Sequence, residues 1–367
     1  MSNEELVSLS AVELRRRIGT KEISPVELLD ACLERIEEVN PAVNAVTAMC
    51  GVVGFRPSPG MVAIERRGMG WTPISVLGPM GRTVEDTALM LGASVGHDPR
   101  DPLSYPVDGG SIWPLPELDL STLRVGYTED FGLCIVDPEI RRVFRDRVEA
   151  IRPLVARCEP LDLQLGDADR AFDTLRAESF VAAFADTYRS APDTLGPNVR
   201  ANVEMAAAIT LADRAWAHLE QTRIARRFAL AFEEVDLILA PTTPVTPFPW
   251  TELYAERVDG QAMRNYYHWL GLTYVVTLAT NPALSLPCGR DAHGMPFGLQ
   301  VIGRLRGDAA LLSAAHALEQ AFAAAPALRR PQPEVETLRA ARPALKSIVT
   351  HPPLAGDREG EGGVNAV

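Results

Sequence analysis

Short apolar runs alternate with capped helices along most of this chain, and this alternation limits the folds that it can adopt. Strands are predicted where apolar residues fill a run of strand length, over 52–55, 123–127, 235–240, 283–286 and 297–302. Helices are predicted where a capping residue precedes an amphipathic run, after Ser10, Ser24, Thr83 and Asp137. This pattern predicts an α/β fold in which a mixed β-sheet is layered with helices.

Several helix boundaries can be predicted from local signals. The Ser10 and Ser24 capping boxes place helix starts near Ala11 and Pro25, and the second helix is expected to end at Asn40-Pro41. The helix after Thr83 is expected to run through Leu91 and to stop at the glycine-rich segment 92–96. Further helices are expected over 168–232 and 308–325.

The composition limits the classes of partner. The 367 residues are 47% hydrophobic and carry a formal net charge of -12, without a block of lysine and arginine. A protein of this kind can bury a large core, but it lacks the positive surface that phosphates and anionic lipids attract. We therefore expect neither a nucleic-acid partner nor a membrane partner. The acidic first residues are unlike a secretory leader, so a cytoplasmic location is expected.

Cysteine and histidine spacing gives no sign of a metal site. The five cysteines are scattered without a C-x-x-C pair, and the six histidines lack the spacing of zinc ligands. Buried thiols in a reducing compartment explain the cysteines better than a disulfide framework does. We therefore expect no metal and no cofactor.

Four stretches of the chain together resemble the amidase-signature family of hydrolases. In chain order they are 51–60 (GVVGFRPSPG), 75–86 (SVLGPMGRTVED), 240–244 (APTTP), and 281–287 (NPALSLP) continuing to 298–303 (GLQVIG). The resemblance extends over most of residues 1–330 and implies an amidase-signature-like fold. It also implies hydrolysis of the C–N bond of a small-molecule amide, giving an acid plus ammonia or an amine through a serine acyl-enzyme, without a cofactor.

The segment that precedes Gly51 lacks the residues that this mechanism requires. The resemblance implies a serine nucleophile, a bridging serine and a neutral lysine in a Gly/Ser-rich interval before Gly51, but 44–50 (NAVTAMC) contains no serine, lysine or glycine pair. The chain has only two lysines, Lys21 in a polar turn and Lys346 in a proline-rich tail, and both are expected to be solvated. We therefore assign no catalytic residue and predict an internal deletion.

The predicted deletion has consequences for activity and association. Without the serine and lysine set, the chain is expected to be inactive by the family mechanism. A sheet that has lost central strands exposes unpaired backbone, so poor solubility or association into a homo-oligomer is expected.

Three other motifs could carry chemistry but have simpler interpretations. Residues 92–96 (GASVG) match the G-x-S-x-G nucleophile elbow but follow a helix, where a helix stop is the better prediction. Residues 109–111 (GGS) resemble an oxyanion loop, although the surrounding sequence is typical of turns. The aromatic run 266–269 (YYHW) fits core packing or the wall of a pocket.

The predicted organisation is one domain with a flanking segment on each side. Residues 1–50 form N-terminal helices, 51–328 the remainder of a single amidase-signature domain, and 329–367 a disordered tail rich in proline and then in glycine and glutamate. Thr242 and Thr243 end a buried strand, so they are candidates either for a substrate pocket or for strand termination. By resemblance, Asn281 and Ser285 are further pocket candidates.

Three functional hypotheses follow. The first is an amidase-signature amide hydrolase that has lost its catalytic segment. The second is a non-catalytic protein that binds a small molecule or a partner. The third is a protein like the A-subunit of an amidotransferase, whose expected partners are tRNA and a second subunit.

Overall fold

The computed structural model describes residues 2–43, 51–248, 252, 254–332 and 336. Its α-helices are α1 (Asn3–Ser8), α2 (Ala11–Gly19), α3 (Pro25–Val43), α4 (Val84–Ser94), α5 (Pro138–Ile151), α6 (Ala168–Ser190), α7 (Pro197–Ala206), α8 (Leu211–Glu234), α9 (Gly271–Ala279) and α10 (Asp308–Ala324). Its strands are β1 (Val53–Arg56), β2 (Met80–Gly81), β3 (Arg124–Tyr127), β4 (Arg157–Pro160), β5 (Leu237–Pro241), β6 (Arg257–Val258), β7 (Gln261–Ala262), β8 (Ala283–Arg290) and β9 (Pro296–Ile302).

Seven of these strands form one mixed sheet in the order β2-β1-β8-β9-β5-β3-β4. Strand β3 is parallel to both β5 and β4, and the other neighbouring pairs are antiparallel. Strands β6 and β7 form a separate two-stranded hairpin. The predicted α/β class with a mixed sheet and helices is confirmed.

The core lies between the sheet and the helices packed on it. All five residues of β5 are buried, as expected for a central strand covered on both faces. Helix α9 covers part of one face, since the Gln300 side chain in β9 donates a 2.9 Å hydrogen bond from Nε2 to the Leu272 carbonyl. Helix α10 packs against β8 and β9, and helix α5 against β5. Among the described residues, no helix is long and apolar enough to cross a membrane.

The N-terminal helices attach to this body through the region around α4. Helix α2 contacts α4, and the Val12 amide donates to the Asp86 carboxylate over 3.1 Å. The Arg82 guanidinium donates to the Val7 carbonyl over 2.9 Å. Most of the predicted tail 329–367 lies outside the described residues.

Strand β1, which follows the predicted deletion, is paired on both sides. Gly54 lies opposite Met80 of β2 and opposite Ser285 of β8, so neither edge of β1 is free. The expectation of unpaired backbone in the middle of the sheet is therefore wrong for β1, because β2 and β8 supply its hydrogen bonds. The segment 44–50 itself lies outside the described residues.

Helix α3 runs further than its sequence signal predicts, whereas helix α4 ends within the predicted stop segment 92–96. Helix α3 continues to Val43, past Pro41, which removes one backbone hydrogen bond from its last turn. Helix α4 continues through Gly92 to Ser94. Gly92 marks a close contact instead of a helix end, since a Cβ on Gly109 would lie 2.2 Å from the Gly92 carbonyl oxygen.

Candidate functional site

One face of the sheet carries polar side chains where β1, β8, β9 and β5 lie side by side. Ser285 in β8 lies opposite Gly54 on one side and Gln300 on the other. Residues directly opposite each other in antiparallel strands point to the same face, so Ser285 and Gln300 share this face. Thr242 follows β5, and its amide donates to the Gly298 carbonyl over 3.0 Å, which places Thr242 across β9 from Ser285.

The hydroxyl groups of Thr242 and Ser285 meet on this face. Their Oγ1 and Oγ atoms are 3.0 Å apart, a hydrogen bond in which either group can donate. The contact depends on Gly298, because a Cβ at that position would lie 2.9 Å from the Ser285 hydroxyl and 3.0 Å from that of Thr242. Because Gly298 has no side chain, the Thr242 and Ser285 hydroxyls can meet across β9, although β5 and β8 are not neighbours in the sheet.

A cavity of about 260 Å³ opens on one side of this pair, and we name it the aromatic cavity. Aromatic and proline side chains form part of its walls, and the Phe248 and Trp269 rings meet edge to face with centroids 5.6 Å apart. Threonine and serine hydroxyls supply its polar groups. The lining residues are Gly51, Val52, Thr242, Thr243, Val245, Thr246, Pro247, Phe248, Trp269, Ser285, Pro287, Pro296, Phe297 and Gly298.

A second cavity, of about 330 Å³, shares Thr242 and Ser285 with the first, and we name it the arginine cavity. Strand β1, the turn before β2 and helix α9 form its other walls, and Arg56 supplies its charge. The lining residues are Gly54, Phe55, Arg56, Gly78, Pro79, Met80, Thr242, Thr273, Val276, Thr277, Ala283, Leu284, Ser285 and Gln300.

Arg56 is half-buried beside the sheet and donates to three carbonyl groups. The acceptors are those of Ile74 at 3.1 Å, Asn281 at 3.4 Å and Pro73 at 3.5 Å. Burial lowers the pKa of Arg56 to about 10, because removal from water penalises its charged form. Sequence reasoning missed this residue, although it lies inside the GVVGFRPSPG stretch.

Of the four predicted pocket residues, three line the aromatic cavity and one does not. Thr242 and Ser285 form its inner edge, while Thr243 is exposed at the rim and donates to the Val245 carbonyl over 3.1 Å. Asn281 lines neither cavity. It is buried, and its side chain donates to the Gly303 carbonyl over 2.8 Å, so it ties the start of β8 to the end of β9.

The rival motifs occupy structural positions. Ser94 is exposed at the end of α4 and donates to the Met90 carbonyl over 2.8 Å, so it does not lie on a strand-to-helix elbow. Ser111 lies in a short 3₁₀ turn and donates to the Asp108 carbonyl over 2.7 Å. Neither hydroxyl has a base as its partner, so neither is an activated nucleophile.

The aromatic run 266–269 divides between packing and pocket. Tyr267 is buried and donates to Asp173 over 2.9 Å, and the His268 ring lies 3.4 Å from the Asp169 carboxylate. Trp269 alone of the four lines the aromatic cavity. Both interpretations of the run were therefore correct for different residues.

The remaining candidates for a base or a metal site lie elsewhere. Lys21 is exposed in the turn after α2, as expected, and Lys346 lies outside the described residues. Across the part of the chain that the structure describes, no group of three or more His, Cys, Asp or Glu side chains could hold a metal ion.

Comparison with known proteins identifies the family. The family model described as Amidase matches residues 47–312, which is more than half of the chain. The chain belongs to the amidase family. The A-subunit of the glutamyl-tRNA(Gln) amidotransferase of Picosynechococcus is 31% identical over 315 residues, covering 77% of this chain and 63% of the relative. The acylamidase of Rhodococcus erythropolis is 30% identical over 287 residues, covering 75% and 58%.

Solved structures share the fold of this amidase-family protein. A bacterial aryl acylamidase superposes with a TM-score of 0.67 at 22% identity, covering 80% of this chain and 61% of that one. A 6-aminohexanoate cyclic dimer hydrolase in complex with its substrate gives a TM-score of 0.61 at 24% identity, covering 82% and 64%. The chain therefore spans somewhat less than two thirds of the length of these relatives.

Proposed function

We propose that this amidase-family protein binds a small, uncharged carboxamide in the aromatic cavity and does not hydrolyse it. The observation that carries this proposal is the environment of the Thr242 and Ser285 hydroxyls. Ser285 has a threonine hydroxyl as its partner, and a threonine cannot accept a proton as a general base at neutral pH. Among the residues that line the two cavities, none is a lysine, histidine, aspartate or glutamate.

The chemistry of the aromatic cavity supports binding of an acyl compound. Its aromatic and proline walls can bury an apolar acyl group, and the Thr242, Thr243 and Ser285 hydroxyls can exchange hydrogen bonds with a carboxamide. The acylamidase relatives, which act on acyl amides by name, fit this class. A free amino acid fits less well, because no carboxylate lines either cavity to pair with its α-ammonium group.

Hydrolysis and binding can be measured separately. We expect no release of 4-nitroaniline from 4-nitroacetanilide and no release of ammonia from benzamide above the buffer rate, while a competent acylamidase serves as the positive control. Saturable binding of benzamide should change tryptophan fluorescence through Trp269. Trp269→Phe should lose this change, whereas Trp71→Phe, which alters an exposed ring, should keep it.

Two outcomes contradict the proposal. One is turnover by the wild-type chain that Ser285→Ala abolishes, because Ser285 would then be a nucleophile. The other is the absence of saturable binding for every uncharged amide in a series of aryl and alkyl compounds.

A second candidate function is supported by relatives that are A-subunits of glutamyl-tRNA(Gln) amidotransferases, one of which is 31% identical to this chain. A protein of that kind would release ammonia from glutamine and assemble with tRNA and a second subunit. Ammonia release from glutamine that increases when tRNA and the purified second subunit are added would favour this function over the first. Unchanged background release would leave the acyl-binding proposal as the better account.

A further inference from the structure

The arginine cavity has one charged side chain and no counter-ion in its lining. Its other residues are neutral, and they divide into hydrogen-bonding groups (Thr242, Thr273, Thr277, Ser285 and Gln300) and apolar ones such as Met80, Val276 and Ala283. Arg56 is half-buried, and a charge that is partly withdrawn from water gains from a counter-ion, which an anionic ligand could supply here.

The contacts of Arg56 leave part of its hydrogen-bonding capacity unused. A guanidinium has five N–H groups, and three contacts to carbonyl oxygens use only its two terminal nitrogens. The Nε–H group has no acceptor among the described residues. The three carbonyl groups accept hydrogen bonds from the guanidinium but do not neutralise its positive charge. Burial lowers the pKa of Arg56 to about 10.

The nearest acid with an electrostatic effect on Arg56 is already engaged. Asp308 at the start of α10 attracts Arg56 through space but is not within ion-pair distance of it. Its two carboxylate oxygens accept hydrogen bonds from the Ser58 amide at 2.7 Å and the Ser58 hydroxyl at 2.6 Å. Asp308 therefore cannot act as the direct partner of the guanidinium in the cavity.

We propose that the arginine cavity binds the carboxylate of a small organic acid with an apolar body. The planar guanidinium matches a carboxylate in geometry and charge, and the Met80, Val276 and Ala283 side chains can contact an aryl or alkyl group. The Thr277 and Ser285 hydroxyls add neutral donors. A volume of about 330 Å³ accommodates a molecule the size of benzoate. This site does not depend on whether the aromatic cavity binds a carboxamide.

A matched pair of ligands tests the proposal on the wild-type protein. Calorimetry at constant ionic strength compares benzoate with benzamide, and hexanoate with hexanamide. Because a hydrogen bond to a charged group is worth more than a neutral one, we expect each carboxylate to bind about ten- to a hundredfold more tightly at this site than its amide. Benzamide that binds in the aromatic cavity should change the fluorescence of Trp269. Benzoate that binds at Arg56 should not change it.

Variants then locate the site. Arg56→Gln should remove the preference for carboxylates, while Arg227→Gln, which neutralises an exposed arginine on α8, should keep it. Since Arg56 also ties three carbonyls, its loss could weaken the fold. Thr277→Phe therefore serves as a second variant: it fills the cavity from α9, leaves Arg56 in place and should abolish carboxylate binding.

Three results overturn the proposal. They are equal affinity for carboxylate and amide, unchanged carboxylate affinity in both Arg56→Gln and Thr277→Phe, and binding of inorganic sulfate as tight as that of benzoate. The last result would mean that Arg56 attracts any anion, so that the apolar walls contribute nothing to recognition.

Discussion

The Thr242 hydroxyl lies 3.0 Å from the Ser285 hydroxyl, and the two side chains form the boundary between the aromatic and arginine cavities. They belong to β8 and to the end of β5, which are separated in the sheet by β9. Gly298 in β9 makes their contact sterically allowed. The candidate site is therefore a product of sheet register as much as of side-chain identity.

Replacing Gly298 by alanine should separate the two hydroxyls. A Cβ at 2.9 to 3.0 Å from both oxygens forces at least one side chain to move, and overpacking of this kind typically costs about 1 to 3 kcal/mol. Urea unfolding measures this loss of stability. The matched control is Gly19→Ala, since a Cβ at Gly19 meets no atom within 4 Å. Equal stability of the two variants would mean that the hydroxyl pair is not constrained by β9.

The hydrogen bond itself can be measured by a double-mutant cycle. Thr242→Val, Ser285→Ala and the double variant should give a coupling free energy of about 1 kcal/mol or less, because both hydroxyls border cavities that water can enter. Thr243→Val is the control, since Thr243 is exposed and bonds only locally. Purely additive losses in the cycle would show that the 3.0 Å contact contributes nothing to stability.

The fold could be predicted further than the site. Local signals are sufficient for α5, because the Asp137 side chain caps its own helix by accepting from the Glu139 amide at 2.8 Å, with Pro138 at the first position. The strands β5 and β9 could likewise be predicted from local sequence, because each is an apolar run of strand length. By contrast, the two-residue strand β2 exists only because it pairs with β1, and no local pattern marks it.

The site depended on contacts that no local pattern encodes. Thr242 and Ser285 were both pocket candidates, but their mutual contact required the register of three strands. Arg56 lies one residue beyond the predicted strand 52–55, and no local pattern marks it as half-buried beside a cavity, which is a tertiary property. Asn281, the fourth candidate, lines neither cavity because its side chain donates to the Gly303 carbonyl within the core.

Gly109, in the motif 109–111, packs too closely against α4 to accept a side chain. A Cβ on Gly109 would lie 2.2 Å from the Gly92 carbonyl oxygen in α4, and backbone on both sides leaves no flexible group to yield. Gly109→Ala should therefore cost about 3 kcal/mol or more, at the upper end of overpacking effects. Thermal unfolding compared with Ser111→Ala, which removes only a local hydroxyl bond, separates packing from chemistry. A smaller loss for Gly109→Ala than for Ser111→Ala would contradict this interpretation.

The buried Ser58 hydroxyl should matter more for stability than any exposed serine. It donates to Asp308 at 2.6 Å and accepts from the Arg306 amide at 2.8 Å, and Ser58 and Asp308 are each at most 2% exposed. Ser58→Ala leaves a buried carboxylate oxygen and a backbone amide without partners, which should cost about 2 to 4 kcal/mol. Ser94→Ala, at an exposed helix end, should change stability by less than about 0.5 kcal/mol. Urea unfolding of both variants at pH 7 checks the difference.

His316 should make stability depend on pH above 6.5. The Glu319 carboxylate raises the pKa of His316 above its ordinary 6.5, assisted by Glu85 of α4 and opposed by burial. A histidine whose folded pKa exceeds its unfolded value stabilises the fold fully below pH 6.5 and loses that contribution as the pH rises through the folded pKa. As the pH rises above 6.5, the free energy of unfolding of the wild type should thus fall by more than that of His316→Gln. His293→Gln, which alters an exposed histidine, should follow the wild type. The difference between the two proteins isolates the titration of His316 from the titrations of the carboxylates, which both proteins share. If the two plots of unfolding free energy against pH are parallel, the charge on His316 is not coupled to folding.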